Sequence, residues 1–191
     1  MHKGRLEAFS DGVLAIIITI MVLELVPPHN AELSALLELY PKFLSYVLSF
    51  LYIAIYWNNH HHLMHAVKHV DGRVLWANMT LLFFLSLIPF STAWMGENHF
   101  AKWPVIIYGV SLLLPAVSYY VLTLPLVDLH GKDSALGKAL GKDFKGKISI
   151  VIYLAAIALA FVHPLIAGAL YLIVAIIWLV PDRRIERQLK D

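Results

Sequence analysis

The sequence predicts an all-α integral membrane protein with six transmembrane helices and both termini in the cytoplasm. Three observations carry that reading. Hydrophobic residues make up 60% of the chain, above the roughly 45–50% of soluble domains, and one soluble core of this size could not bury so much apolar surface. Prolines, glycines and charged clusters cut the apolar residues into lengths near the 20 or so that cross a hydrocarbon layer about 30 Å thick. Basic residues gather in alternate loops, which is the mark of a fixed membrane orientation.

The spans read at about 6–26, 43–65, 74–95, 103–125, 146–162 and 164–180, within a single domain over 1–191. The first opens on Arg5-Leu-Glu-Ala-Phe9-Ser10-Asp11-Gly12 and runs without a break into Val13 to Leu23, ending at Pro27-Pro28. The stretch is too long for a cleaved signal peptide, and Asp11 follows the basic residues directly. Pro41 precedes the second span and Asp71-Gly72-Arg73 separates it from the third, in which Pro89 should kink or end the helix. Gly96-Glu97-Asn98 separates the third from the fourth, and a lysine- and glycine-containing linker of about 126–147, with some helix, leads to the fifth. From Ile148 to Val180 the only interruption is His163-Pro164. One helix of that length would measure about 50 Å, so a tight hairpin of two short helices is expected.

With the N-terminus inside, only Lys42 and Lys102 of the 15 lysines and arginines lie outside. Lys3, Arg5, Lys68, Arg73, Lys132, Lys138, Lys142, Lys145, Lys147, Arg183, Arg184, Arg187 and Lys190 all fall on the cytoplasmic side, as the positive-inside rule requires. The chain has no cysteine, which excludes disulfides, thiolate metal sites and cysteine nucleophiles. A formal net charge of +2 gives no footprint for nucleic acid. No phosphate-binding glycine loop, nucleophile elbow or paired-carboxylate site is present, and no helix carries a periodic arginine series. The chain reads as a non-enzyme without cofactor.

Candidate functional residues lie on the first three spans. Ile16, Ile20 and Leu23 fall at i, i+4 and i+7, one stripe of a helix surface, with Thr19 beside it. Such a stripe serves helix packing or lipid contact, or it lines a pore whose aliphatic side chains form a constriction that gates by dewetting. An aspartate at the membrane edge is costly without partners, which makes Asp11 a functional candidate. The inner ends of the second and third spans offer partners to Ser10 and Asp11: Trp57, His60 and His61, with Trp76 and Asn78 at the same depth. His61 and His65 have a spacing that suits a metal, but the multiple histidine boxes of membrane di-iron enzymes are lacking. A histidine cluster of this kind also titrates near neutral pH, which leaves proton sensing chemically open.

Arg5-x-x-x-Phe9-Ser10-Asp11 resembles the RxxxFSD signature of the transmembrane-protein-175 potassium channels. Tyr46-x-x-Ser49-Phe50 with Trp57-x-x-His60-His61, and Asn78 with Ser86-Leu-Ile-Pro89-Phe90, are similar to that family as well. The likeness covers residues 5–95. It implies a homotetramer in the lipid bilayer whose first helices line a central pore, without the TVGYG filter of ordinary potassium channels. Ile16, Ile20 and Leu23 would form hydrophobic layers there, and Thr19 would contribute to cation selectivity. Permeant monovalent potassium ions would pass near Ile16, Thr19 and Ile20 with no metal tightly held. Arg5, Phe9, Ser10 and Asp11 would tie the first helix to the second and third. The resemblance implies a potassium-preferring leak-type channel, and the single repeat and short loops point to a prokaryotic plasma membrane. The alternative is a proton-coupled secondary transporter using Asp11 and the second-span histidines.

Overall fold

The computed structural model describes residues 2–131, 133–140 and 143–179, and all regular structure among them is α-helical. In chain order the helices are α1 (Gly4–Leu23), α2 (Leu33–Glu38), α3 (Tyr40–Ala66), α4 (Gly72–Leu85), α5 (Ile88–Glu97), α6 (Lys102–His130), α7 (Ala135–Leu140), α8 (Phe144–Ala160) and α9 (Pro164–Leu179). Three stretches are long and apolar enough to cross a membrane: α1, the α4–α5 pair and α6, with α9 a shorter apolar helix. α3 is long enough but interleaved with polar residues, and α8 has 17 residues. Lys132, Lys142, Arg183, Arg184, Arg187 and Lys190, and the last residue of the sixth expected span, lie outside the described residues.

The helix ends differ from the sequence expectation for local reasons. α1 stops at Leu23 rather than near residue 26, because the residue before Pro27 is driven out of the helical region and the last turn unwinds with it. The third span is two helices, broken at Ser86–Leu87, with Pro89 in the first turn of α5. A proline ring clashes with the carbonyl four residues back, so the helix breaks one turn before Pro89 and restarts where the missing N–H is not needed. α6 runs past Pro125 into the expected linker and ends at His130, followed by Gly131 with φ +88°, a glycine position just beyond a helix C-terminus. The short α2 falls where a loop was expected. Its Leu33, Leu36 and Leu37 are exposed.

The core draws on α1, α3, α4, α5, α6, α8 and α9, and tyrosines link α3, α6 and α9 within it. The Tyr52 hydroxyl donates to the Tyr171 carbonyl at 2.6 Å and the Tyr171 hydroxyl to the Val105 carbonyl at 3.2 Å. Tyr108 meets Ser49 at 2.9 Å, and Ser49 meets Thr92 at 2.7 Å. Thr92 donates to the Ile88 carbonyl, so the proton order runs from Tyr108 to Ser49 to Thr92. Buried hydroxyls are costly without partners in an apolar setting, and each of these has one. Gly109 makes the close approach possible: a Cβ there would lie 2.0 Å from the Tyr171 hydroxyl. This core forms the wall against which α3, α4 and α5 hold α1.

Candidate functional site

Helix α1 has two faces with different chemistry. Leu6, Ser10, Leu14, Ile17 and Met21 are buried, and their spacing of three and four marks one continuous stripe. Leu14, Ile17 and Met21 are each 2% exposed, whereas Ile16 is 60% and Leu23 72% exposed. Ile20 and Thr19 are exposed as well. The Ile16–Thr19–Ile20–Leu23 stripe therefore points away from the helices that hold α1. Thr19 donates its hydroxyl proton to the Ala15 carbonyl at 2.9 Å, which leaves its oxygen lone pairs to accept from or coordinate a group on the exposed side.

A directed polar chain clamps the buried face near its N-terminal end. The Ser10 hydroxyl donates to the Leu6 carbonyl at 2.8 Å, and the Asn78 amide donates to the Ser10 oxygen at 3.0 Å. The remaining Asn78 oxygen can only accept, so the His60 contact at 2.9 Å is Nε2–H donating to it. Ser10 and Asn78 are fully buried and His60 is 4% exposed. This chain joins α1, α3 and α4, with the Ser10 hydroxyl proton and one Asn78 amide proton committed. Beside it, the Trp57 indole N–H donates to the Asp11 carboxylate at 3.0 Å, which supplies the partner an edge carboxylate needs.

The other expected site residues are placed elsewhere. His61 stacks on the Trp57 ring at 5.9 Å and His65 on His61 at 6.3 Å, forming an exposed ladder along α3. Among the described residues no group of three or more His, Cys, Asp or Glu is placed to hold a metal ion. Trp76 is 77% exposed on α4 and is not brought to Ser10 or Asp11. Arg5 and Phe9 are exposed on the same side of α1 as Ile16. Lys3 does reach α3: its ammonium donates to the Met64 carbonyl and pairs with Glu7 at 3.4 Å. Sequence reasoning missed Lys3. The available signal was a cation near the C-terminal carbonyls of α3, which attract positive charge.

An all-helical membrane protein whose apolar first helix is clamped on one face and exposed on the other is the class this geometry defines. The comparisons give the family. Residues 5–89 match the family described as Endosomal/lysosomal potassium channel TMEM175. The chain is 52% identical to a potassium channel of Chryseobacterium sp. (strain P1-3) over 191 residues, all of both chains. It is 41% identical to a potassium channel of Chamaesiphon minutus over 102 residues, 50% of each. Its fold is similar to the crystal structure of a lysosomal potassium-selective channel TMEM175 homolog from Chamaesiphon minutus, with a TM-score of 0.81, 30% identity, and coverage of 94% of this chain and 97% of that one. The chain belongs to the TMEM175 potassium channel family.

Proposed function

We propose that the chain is a potassium-preferring, leak-type cation channel, with no enzymatic activity, in which four copies bring their α1 helices around one pore. The observation that carries this reading is the exposed Ile16–Thr19–Ile20–Leu23 stripe on a helix whose opposite face is clamped. Four such stripes would form layers of aliphatic side chains, with Thr19 oxygens between them. Ions would pass where the layers are wet and stop where they dewet. Potassium would be favoured because it sheds its weakly held water more readily than sodium does. Family membership supports the reading, because the relative matched over its full length and the solved neighbour carry potassium-channel names.

In this reading the chain is one domain with six spans, the fifth and sixth being the α8–α9 hairpin. Both termini face the cytoplasm of a prokaryotic cell and the channel sits in the plasma membrane. Ser10, Asp11, Trp57, His60 and Asn78 hold α1 in place and do not touch ions. Arg5 and Phe9, exposed on α1, would act between copies, and His61 and Trp76 would lie at the outer flanks of the clamp. The test is cation flux from liposomes containing purified protein, under potassium or sodium gradients. Faster potassium than sodium flux supports the reading. No cation flux from folded, oligomeric protein overturns it.

A further inference from the structure

His69 and His130 lie together where the end of α6 meets the loop between α3 and α4, and the hydrogen bonds of His130 admit one protonation state. α6 ends at His130, which packs against the loop between α3 and α4. The His130 Nδ1 lies 2.9 Å from the Leu126 carbonyl. A carbonyl only accepts, so Nδ1 carries the proton. On the other side of the ring, the backbone N–H of Lys68 donates to Nε2 at 3.1 Å, so Nε2 presents its lone pair. Both nitrogens are thereby occupied by the neutral ring. A proton arriving at Nε2 would set N–H against N–H at that distance, and the bond to the loop must break. The His69 ring lies against His130 with centroids 4.9 Å apart, so charge on one ring opposes charge on the other.

The loop that His130 holds is short, and both ends of it belong to the clamp. Upstream, α3 carries Trp57 and His60; downstream, α4 carries Asn78. The charged and titratable groups around His130 come from each neighbouring element. Lys68, His69 and Asp71 lie in the loop, His65 lies near the end of α3, Arg73 opens α4, Asp128 lies on α6 itself, and Asp133 and Lys138 lie around α7. Arg73 bonds to Asp128 at 2.7 Å and to Asp71 at 3.0 Å. The Val74 N–H, and then Arg73, hold the Asp71 carboxyl below the usual carboxylate range. Asp71 therefore stays charged across the range in which imidazoles titrate, near pH 6.5 unperturbed. The carboxylate links of this corner persist while the histidine link is lost.

We propose that His130 is a proton-binding site that latches the α3–α4 loop to the end of α6 when neutral and releases it when protonated, on the face the proposed orientation puts in the cytoplasm. The sign follows from the lone pair. The latch is present while Nε2 offers its lone pair to the Lys68 N–H and is lost when Nε2 takes a proton. The proposal does not depend on which ion the protein conducts. It is tested by amide hydrogen exchange on the full chain in lipid nanodiscs at pH 7.5 and 5.5, corrected for the intrinsic pH dependence of exchange. Peptides covering residues 66–71 in the wild type should lose protection about tenfold or more at the lower pH, which corresponds to about 1.4 kcal/mol or more. In His130→Gln, whose amide oxygen accepts at either pH, protection should be independent of pH. His69→Asn should keep the wild-type change. Equal protection at both pH values in the wild type, a change that survives in His130→Gln, or a change abolished by His69→Asn would overturn the proposal.

Discussion

The two faces of α1 meet opposite demands, and the contrast between them explains how one helix can be both fixed and functional. On the buried face, Ser10 ties Asn78 and through it His60, and Leu14, Ile17 and Met21 continue the contact along the helix. On the other face, Ile16, Ile20 and Leu23 are exposed. A side chain that packs into a neighbour is not free to line a passage. A helix with no fixed face could not hold its other face at a set distance from an axis. The polar links gather in the first two or three turns, where one clamp can set the direction of the apolar turns beyond it.

Substitutions that act on one face alone should separate these roles. Asn78→Leu is expected to have the largest effect on stability, because it leaves the buried His60 N–H without an acceptor and the Ser10 oxygen without a donor. Each stranded group costs roughly 1–3 kcal/mol, and the loss should be read as a lowered melting temperature and a smaller oligomer fraction in detergent. Gly109→Ala strikes the supporting wall, driving a Cβ into the Tyr171 ring and Ile157. Overpacking of this kind costs roughly 1–3 kcal/mol, so the melting temperature should fall with the clamp intact. Ile16→Asn should leave stability within about 0.5 kcal/mol. It should also wet the constriction, giving faster flux and weaker potassium preference in liposomes. Glu97→Gln removes only the exposed pair with Lys42, 2.9 Å apart, and should shift the melting temperature by less than about 1 kcal/mol in equivalent stability.

The two halves of the chain were not equally legible in the sequence. Where polar residues interrupt apolar spans, depth along the helix could be counted. Counting put Trp57, His60, His61 and Asn78 at the depth of Ser10 and Asp11 without pairing them; the pairs Trp57–Asp11, Asn78–Ser10 and His60–Asn78 come from the structure. Counting also placed Trp76 at that depth. Depth does not fix the side of the helix a residue occupies, and Trp76 turns outward on α4. Beyond residue 100 the apolar residues fall on all sides of α6 and α8, so periodicity carries little direction. The links that Tyr108 and Tyr171 make were hidden for that reason. The continuation of α6 to His130 was hidden because the expected span closed near residue 125, ahead of the lysine- and glycine-containing linker. Within this helix Pro125 is accommodated, and the chain turns only at Gly131. The same continuation carries His130 to the α3–α4 loop, a pairing across 62 residues that no local pattern announces.

The absence of cysteine from the sequence makes the division of α1 directly measurable. Single cysteines at Ile16, Thr19, Ile20 and Leu23, and at Leu14, Ile17 and Met21, would be challenged with silver ion, a thiol-seeking monovalent cation, during potassium flux from liposomes. Irreversible block should follow at the first four positions and at none of the last three. Block at Leu14, Ile17 or Met21 with the exposed four unaffected would place the passage on the clamped face and contradict the division of α1 into a holding face and a conducting one.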